Sequence, residues 1–434
     1  GEYLGGTVQV IPHITDEIKA AILQLDGSAD FAIIEIGGTV GDIEGLPFIE
    51  AIRQLRGDLG REYSLYIHLT LVPYVKVADE IKTKPTQHSV GTLREIGIQP
   101  DILICRTEKS LSEDVKEKIS LFCNVRKEAV IEAKDVDSIY QIPLIFKEQI
   151  LDEIILSHFR LICKPGQCLQ GRTLKDWEKN VVERVLNPQD KVKIAIVGKY
   201  ITLQDAYKSI YESLVHAGIA NDARVEIKKV DSEDIEKENA DKFLKDVSGI
   251  LVPGGFGSRG IEGKIKAIRY ARVNNIPFFG LCLGMQCAVI EFSRNLCGLK
   301  EANSTEFTPR TKYPVISLLE EQKKIKDLGG TMRLGVYPCR IKKNTLAFKA
   351  YGKALIQERH RHRYEFNNKY KKLLEKKGME FCGIYPKKNL VEIIELKNHP
   401  YFIAVQFHPE FKSKPDDAHP LFREFIKSAL KKKK

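Results

Sequence analysis

Short apolar runs alternate with amphipathic stretches along most of this chain. Residues 8–11 and 31–36 are apolar runs of strand length, and 15–25 between them has helical spacing. Residues 66–71 and 102–105 predict further buried strands, with helices at 46–55 and 88–96 alternating with them. Such alternation predicts a doubly wound sheet of parallel strands. Residues 146–161 predict one amphipathic helix. The pattern then turns polar over 163–190, with Lys164-Pro165-Gly166 and Asn187-Pro188-Gln189-Asp190, the composition of a linker.

A second α/β series follows. Residues 192–199 predict a strand, 204–217 a helix, and 224–228 and 249–252 strands, the last running into Pro253-Gly254-Gly255-Phe256-Gly257. A short buried strand at 276–281, a helix at 285–292, a strand at 402–407 and a closing helix at 421–430 complete it. Residues 318–330 are charged, end in Gly329-Gly330 and predict a mobile loop. The expected fold class is α/β with two doubly wound domains, 1–162 and 191–434, joined by a linker at 163–190.

Composition narrows the class. Hydrophobic content of 43% and charged content of 29% fit a globular protein. No apolar run reaches the roughly 18 residues of a membrane span, and the first residues show no signal-peptide pattern. Nine cysteines without a Cys-x-x-Cys pair point to reduced thiols and a cytoplasmic location. Part of the net charge of +11 lies in Lys431–Lys434 and around 369–377, runs typical of solvated faces. Nothing resembles an aromatic-interleaved RNA platform, so nucleotide phosphates rather than nucleic acid are the expected anions.

The sharpest chemistry lies in Gly280-Leu281-Cys282-Leu283-Gly284 and His408-Pro409-Glu410. The first places a cysteine between a strand and a helix at G-x-C-x-G spacing, the thiol form of a nucleophile elbow. The second offers an imidazole and a carboxylate at i, i+2, which an extended segment would turn to the same side. A thiolate nucleophile, a base and an orienting carboxylate form a triad able to attack an amide. The N–H of Leu283 at the helix start can stabilise an oxyanion.

Together with Pro253-Gly-Gly-Phe-Gly257 and Met285-Gln286, these motifs resemble the class I, triad-type glutamine amidotransferase domain over roughly residues 190–430. The resemblance implies that Cys282, His408 and Glu410 release ammonia from glutamine through a glutamyl thioester. Gly255 and Leu283 would form the oxyanion hole, with Gly284, Met285 and Gln286 around the substrate. Glu306 and Arg363 would take the α-amino and α-carboxylate groups.

In the first half, Glu35-Ile-Gly-Gly-Thr-Val-Gly-Asp42-Ile43-Glu44 follows an apolar run with a glycine-rich turn carrying three carboxylates. Lys82-Thr83-Lys84-Pro85-Thr86-Gln87-His88 offers lysines and threonines for a triphosphate and an amide for a pyrimidine edge. With Gln9-Val-Ile-Pro-His-Ile-Thr15, Leu71-Val-Pro-Tyr74 and Lys134-Asp-Val-Asp-Ser-Ile-Tyr140, they closely resemble the CTP synthase family, and the resemblance spans essentially the whole chain. It implies amination of UTP using ATP, Mg²⁺ and glutamine-derived ammonia carried by an internal channel, with GTP as allosteric activator, CTP as feedback inhibitor and a homotetrameric assembly. Glu35 would be a Mg²⁺ ligand. Asp42, Ile43, Glu44, Lys82 through Gln87 and Lys118 would bind UTP or CTP. Arg106, Lys134, Asp135 and Val136 would border the ATP adenine, and Arg333 would belong to the lid where GTP acts.

Members of that family carry about 100 further residues before the counterpart of Gly1, including a phosphate-binding P-loop, and no G-x-x-x-x-G-K-[ST] occurs here. The chain is therefore expected to be an N-terminally truncated P-loop-type amidoligase domain followed by an amidotransferase domain, retaining chiefly the glutaminase half. A stand-alone glutamine hydrolase, or a non-catalytic nucleotide-binding regulatory or assembly subunit, are the alternatives.

Overall fold

The structure is a computed structural model that describes residues 5–161, 173–201, 203–319 and 332–433. The expected loop at 318–330 and the Lys164-Pro165-Gly166 part of the expected linker lie mostly or wholly outside these residues. The chain divides into two compact units, Gly1–Glu178 and Lys179–Lys434. The boundary falls inside the segment expected as a linker, but the described part is not irregular: Leu174–Trp177 is helical, with Thr173 and Asp176 as a reciprocal capping box, and Glu183–Leu186 is a further helix.

Unit 1 contains a three-stranded parallel sheet in the order Ile67–Leu71, Ile102–Thr107, Val130–Lys134. Leu103, Ile102, Ile131, Ile119 and Val90 are fully or nearly fully buried around it. The helix expected at 88–96 begins earlier, as Lys84–Glu95, because Pro85 suits a first helical turn. Three expectations fail. Residues 8–11 and 31–36 are not buried strands: Val10–Ile14 is an irregular helical turn interrupted by an extended Ile11, 31–36 has no regular structure, and Val8, Val10, Phe31 and Ile33 are exposed. Apolar character gives a strand only where a neighbour completes its backbone hydrogen bonds, and no described strand pairs with these runs. The single helix expected at 146–161 is two, Ile142–Glu148 and Leu151–His158, broken at Ile150 with φ 52°. The sheet is thus smaller than the doubly wound one expected.

Unit 2 is built on a nine-stranded sheet. Five parallel strands run in the order Phe402–Val405, Phe278–Leu281, Gly249–Val252, Asp190–Gly198, Ala223–Asp231. Leu390–Leu396, Met379–Tyr385, Arg333–Ile341 and Leu355–His362 extend it antiparallel beyond Phe402–Val405. The central parallel strands read as unbroken apolar runs because both faces are covered. On one face Phe279 packs against Phe422 and Phe425 of the closing helix Pro420–Lys433, while Phe278 and Phe402 pack on the other, their rings 4.5 Å apart. Each such fully buried side chain contributes about 1.5–3 kcal/mol. The parallel order brings the C-terminal ends of Gly249–Val252, Phe278–Leu281 and Phe402–Val405 side by side, and the loops leaving those ends carry Gly255, Cys282 and His408.

Candidate active site

Close backbone approach builds the nucleophile turn. Cys282 has φ 50° and ψ −101°, outside the regions a side-chain-bearing residue normally occupies. It caps the helix Leu283–Asn295, and its N–H donates to Val405 O at 2.7 Å. A Cβ on Gly284 would lie 2.2 Å from the Val252 carbonyl oxygen, and one on Gly280 would lie 2.9 Å from the Ala404 methyl. The two glycines of the motif thus let the helix start press against two strands. Such a helix end presents N–H groups without intrahelical partners beside the sulfur.

His408 and Glu410 come together, though not through the extended geometry expected. The strand ends at Val405, and Pro409–Phe411 forms a short 3₁₀ turn. That turn folds Glu410 back so that its Oε1 lies 2.8 Å from His408 Nδ1. The backbone N–H of His408 donates to Arg359 O at 2.8 Å and fixes the segment to the strand Leu355–His362. Burial pushes the imidazole toward its neutral form, but Cys282 and Glu410 outweigh burial and raise His408 to about 11. The stable form is an imidazolium with Glu410 on one side and Cys282 on the other. Nε2 faces Cys282 without a well-formed hydrogen bond. Gly254 lies against both groups: a Cβ there would be 3.0 Å from His408 Cε1 and 3.5 Å from Cys282 Cβ.

A cavity of about 150 Å³ opens on Cys282, and Gly255, Gln286, Glu306 and Arg363 line it. Its size suits an amino acid, well below the several hundred Å³ typical of larger ligands. Glu306 accepts a hydrogen bond from Gly257 N–H at 2.8 Å, and burial raises its pKa. Gln286 donates to Tyr364 O at 3.2 Å. Leu283, Gly284 and Met285 are buried in the first helical turn and do not line the cavity. Sequence reasoning missed Gln406, whose Nε2 is 3.6 Å from Cys282 Sγ, and the wall formed by Phe256, Met332, His362 and Tyr364. Gln406 stands two residues before His408, the same alternation used to pair His408 with Glu410.

Arg333 is directed inward. Its guanidinium bonds Glu365 and Glu392, each at 2.9 Å, and both carboxylates are buried. Burial drives these carboxylates toward their neutral forms, with Glu365 at about 8 and Glu392 at about 7 despite the nearby Arg333. The side chain expected in a nucleotide lid therefore sits in an ionic cluster.

In unit 1, Lys82 and Thr83 precede the helix Lys84–Glu95, so the 82–87 segment gathers at a helix N-terminus, where backbone N–H groups favour phosphate. Lys82 Nζ pairs with Glu80 at 2.5 Å, Lys84 and Pro85 are exposed, and Gln87 Nε2 donates to Thr83 Oγ1 at 3.0 Å. Thr86 is fully buried, its hydroxyl donating to Leu71 O. The glycine-rich turn approaches the same helix: a Cβ on Gly41 would be 3.4 Å from Thr92 Cγ2. Asp42 accepts from Thr39 N–H at 3.1 Å, while Ile43 and Glu44 are exposed. Arg106 Nε and Asp135 Oδ1 are 3.5 Å apart beside Lys134 and the half-buried Val136, and Lys118 is exposed on Glu113–Cys123. Glu35 is exposed. Among the described residues, no three His, Cys, Asp or Glu side chains gather to hold a metal, and no helix is long and apolar enough to cross a membrane. A lone carboxylate still fits Mg²⁺, which commonly takes one or two carboxylates plus nucleotide phosphates and water.

Comparison with known proteins supplies the family. A family model described as "CTP synthase N-terminus" matches residues 1–161, and one described as "Glutamine amidotransferase class-I" matches residues 202–428. A CTP synthase of Hydrogenobaculum sp. is 60% identical over 434 residues, covering 100% of this chain and 79% of the relative. A CTP synthase of Desulfotalea psychrophila is 58% identical over 445 residues, covering 100% of this chain and 80% of the relative. Among solved structures, a Trypanosoma brucei CTPS glutaminase domain with bound acivicin is 41% identical, with a TM-score of 0.53, covering 55% of this chain and 94% of that one.

Proposed function

Because this chain belongs to the CTP synthase family, an enzyme family of glutamine-dependent ligases, we propose that it hydrolyses glutamine at Cys282 and uses the ammonia to aminate UTP. The observation that carries the glutaminase reading is the His408–Glu410 contact of 2.8 Å beside a strained cysteine that opens on an amino-acid-sized cavity.

The Cys282 sulfur attacks the side-chain carbonyl carbon of glutamine, and the N–H groups of Leu283 and Gly255 receive the developing oxyanion. The His408 imidazolium gives its Nε2 proton to the departing nitrogen, so ammonia leaves and a glutamyl thioester remains. The neutral imidazole then takes a proton from water, whose oxygen attacks the thioester carbon. Glutamate leaves, and the sulfur recovers its electron pair beside a renewed imidazolium. Glu410 stabilises that cation at Nδ1 throughout. Glu306 and Arg363 hold the α-amino and α-carboxylate groups, which selects glutamine over a simple amide.

In unit 1, Lys82 through Gln87 and Lys118 bind the UTP phosphates, with Asp42, Ile43 and Glu44 alongside, a site CTP shares as inhibitor. Arg106 and Lys134 through Val136 take the ATP adenine. Phosphate transfer from ATP to O4 of UTP converts that oxygen into a leaving group, and ammonia replaces it at C4. Glu35 would hold Mg²⁺ with the nucleotide phosphates, and the ion would supply charge neutralisation. GTP would act as the activator of glutamine hydrolysis. The reduced cysteines expected from the sequence support a cytoplasmic setting.

The test is one tube containing the chain, glutamine, UTP, ATP, GTP and Mg²⁺, with glutamate and CTP both measured. Glutamate release by the wild type and its loss in Cys282→Ala are expected; undiminished release from the variant would sink the assignment. CTP formation in the same tube is expected, and glutamate without CTP would refute the amination reading.

A further inference from the structure

Lys264 is fully buried, and its ammonium makes no hydrogen bond. It belongs to the helix Ile261–Val273, and two glycines fix where that helix runs. A Cβ on Gly263 would lie 1.7 Å from Ser232 O, and one on Gly260 would lie 2.2 Å from Ser232 Oγ. Neither position admits a side chain, so the helix is seated against Ser232 and Lys264 is held inward. A buried ammonium without a partner is costly, which calls for some compensating negative charge.

The surroundings identify that charge. A Cβ on Gly255 would lie 3.9 Å from Lys264 Nζ, so the ammonium stands directly behind the Gly255 backbone. Gly255 adjoins Gly254, which lies against Cys282 and His408. The charged or titratable groups that act on Lys264 are Cys287 and Cys282 on and before the helix Leu283–Asn295, Lys199 after the strand Asp190–Gly198, and Arg259 in the preceding loop. Lys199, bonded to Phe256 O, and Arg259, paired with Glu233, are themselves cations and repel the Lys264 ammonium. Cys287 does not serve either: burial pushes its thiol up to about 12 and keeps it neutral. Cys282 and the oxyanion formed on its substrate are the negative charges left within range.

We propose that Lys264 is a positioning residue for glutamine hydrolysis: from behind Gly255, its ammonium stabilises negative charge at the Cys282 sulfur and at the oxyanion without touching substrate. The inference rests on Cys282 being the nucleophile but not on which amide it attacks. A fixed cation in a water-poor site acts more strongly than one in water. Burial lowers the Lys264 pKa to about 8, so the ammonium is the main form near neutrality.

The test compares wild type with Lys264→Met, which keeps length and removes charge. Alkylation of Cys282 by iodoacetamide is followed by mass spectrometry of its peptide at pH 6.5 and pH 9.5, alongside the glutaminase kcat and KM and the melting temperature. The variant is expected to melt no lower than wild type, since an unpaired buried charge has been removed. Its Cys282 should alkylate several-fold more slowly at pH 6.5 and converge on wild type at pH 9.5, where Lys264 has lost its charge. kcat should fall at least as far with little change in KM. Alkylation at pH 6.5 within twofold of wild type would overturn the proposal, whatever happens to hydrolysis. A wild type that alkylates as expected but releases no glutamate would instead refute the glutaminase reading and leave the Lys264 inference standing.

Discussion

Replacing Gly284 with alanine tests how strictly the close approach of helix and strand sets catalysis. The added methyl would meet the Val252 carbonyl oxygen at 2.2 Å, and the carbonyl carbon at 3.1 Å. The first distance is roughly 1 Å inside ordinary van der Waals contact. Neither neighbour can rotate away: Val252 ends a fully buried strand, and residue 284 lies in the first turn of the helix bearing Cys282. The helix start must therefore move by a substantial fraction of 1 Å. Overpacking of this kind costs about 1–3 kcal/mol, and for a unit of this size each kcal/mol lowers Tm by about 2–4 °C. The catalytic loss should be larger than the stability loss suggests. A displacement near 1 Å moves Cys282 relative to His408 and the Leu283 N–H relative to the oxyanion, and misplacement on that scale costs about 10²-fold in rate. Glutamate release and calorimetric melting should be measured on Gly284→Ala beside Gly57→Ala. Residue 57 has open space around its Cβ position within the helix Leu46–Leu59, so that control should lose neither Tm nor kcat. A Gly284→Ala enzyme with kcat within threefold of wild type would refute the claim that this contact sets the geometry of the turn.

Glu410→Gln should lower the glutaminase kcat by about 10²–10⁴-fold, because it weakens the charge that orients His408 and stabilises its cationic form. His408 is raised from 6.5 to about 11, so its contribution to stability is complete below about pH 6.5 and is lost as pH rises through about 11. The Tm gap between wild type and Glu410→Gln should therefore narrow from pH 7 to pH 10, and a constant gap would contradict the ion-pair reading. Arg333→Met leaves two buried carboxylates without their cation and should lower Tm more at pH 9 than at pH 6, where they neutralise readily; an unchanged Tm at pH 9 would contradict the ionic cluster. Lys82→Ala should weaken UTP binding in calorimetry while sparing basal glutamine hydrolysis, and equal UTP affinity would refute the phosphate clamp.

The contrast between the two units shows what a single sequence can carry. In unit 2, the predicted strand at 249–252 agrees with Gly249–Val252, and the helix predicted at 285–292 is the middle of Leu283–Asn295. Here local pattern and tertiary environment agree: apolar runs lie between covered layers, and glycines fall where backbones touch. Geometry that depends on partners was not legible. Nothing in Arg333-Leu-Gly335 reveals that the guanidinium turns inward, since Glu365 and Glu392 lie 32 and 59 residues away. Nor does anything in the sequence around Lys264 mark it as buried; its place depends on Gly260 and Gly263 pressed against Ser232. In unit 1, the runs at 8–11 and 31–36 are as apolar as many true strands, but a strand is a property of a pair. Their exposure in this fold is matched on Ile67–Leu71, where Ile67, Leu69 and Leu71 are exposed on a strand that pairs on one side with Ile102–Thr107. Apolar periodicity therefore identified where chain could be buried, whereas the identity of its neighbours decided whether it was.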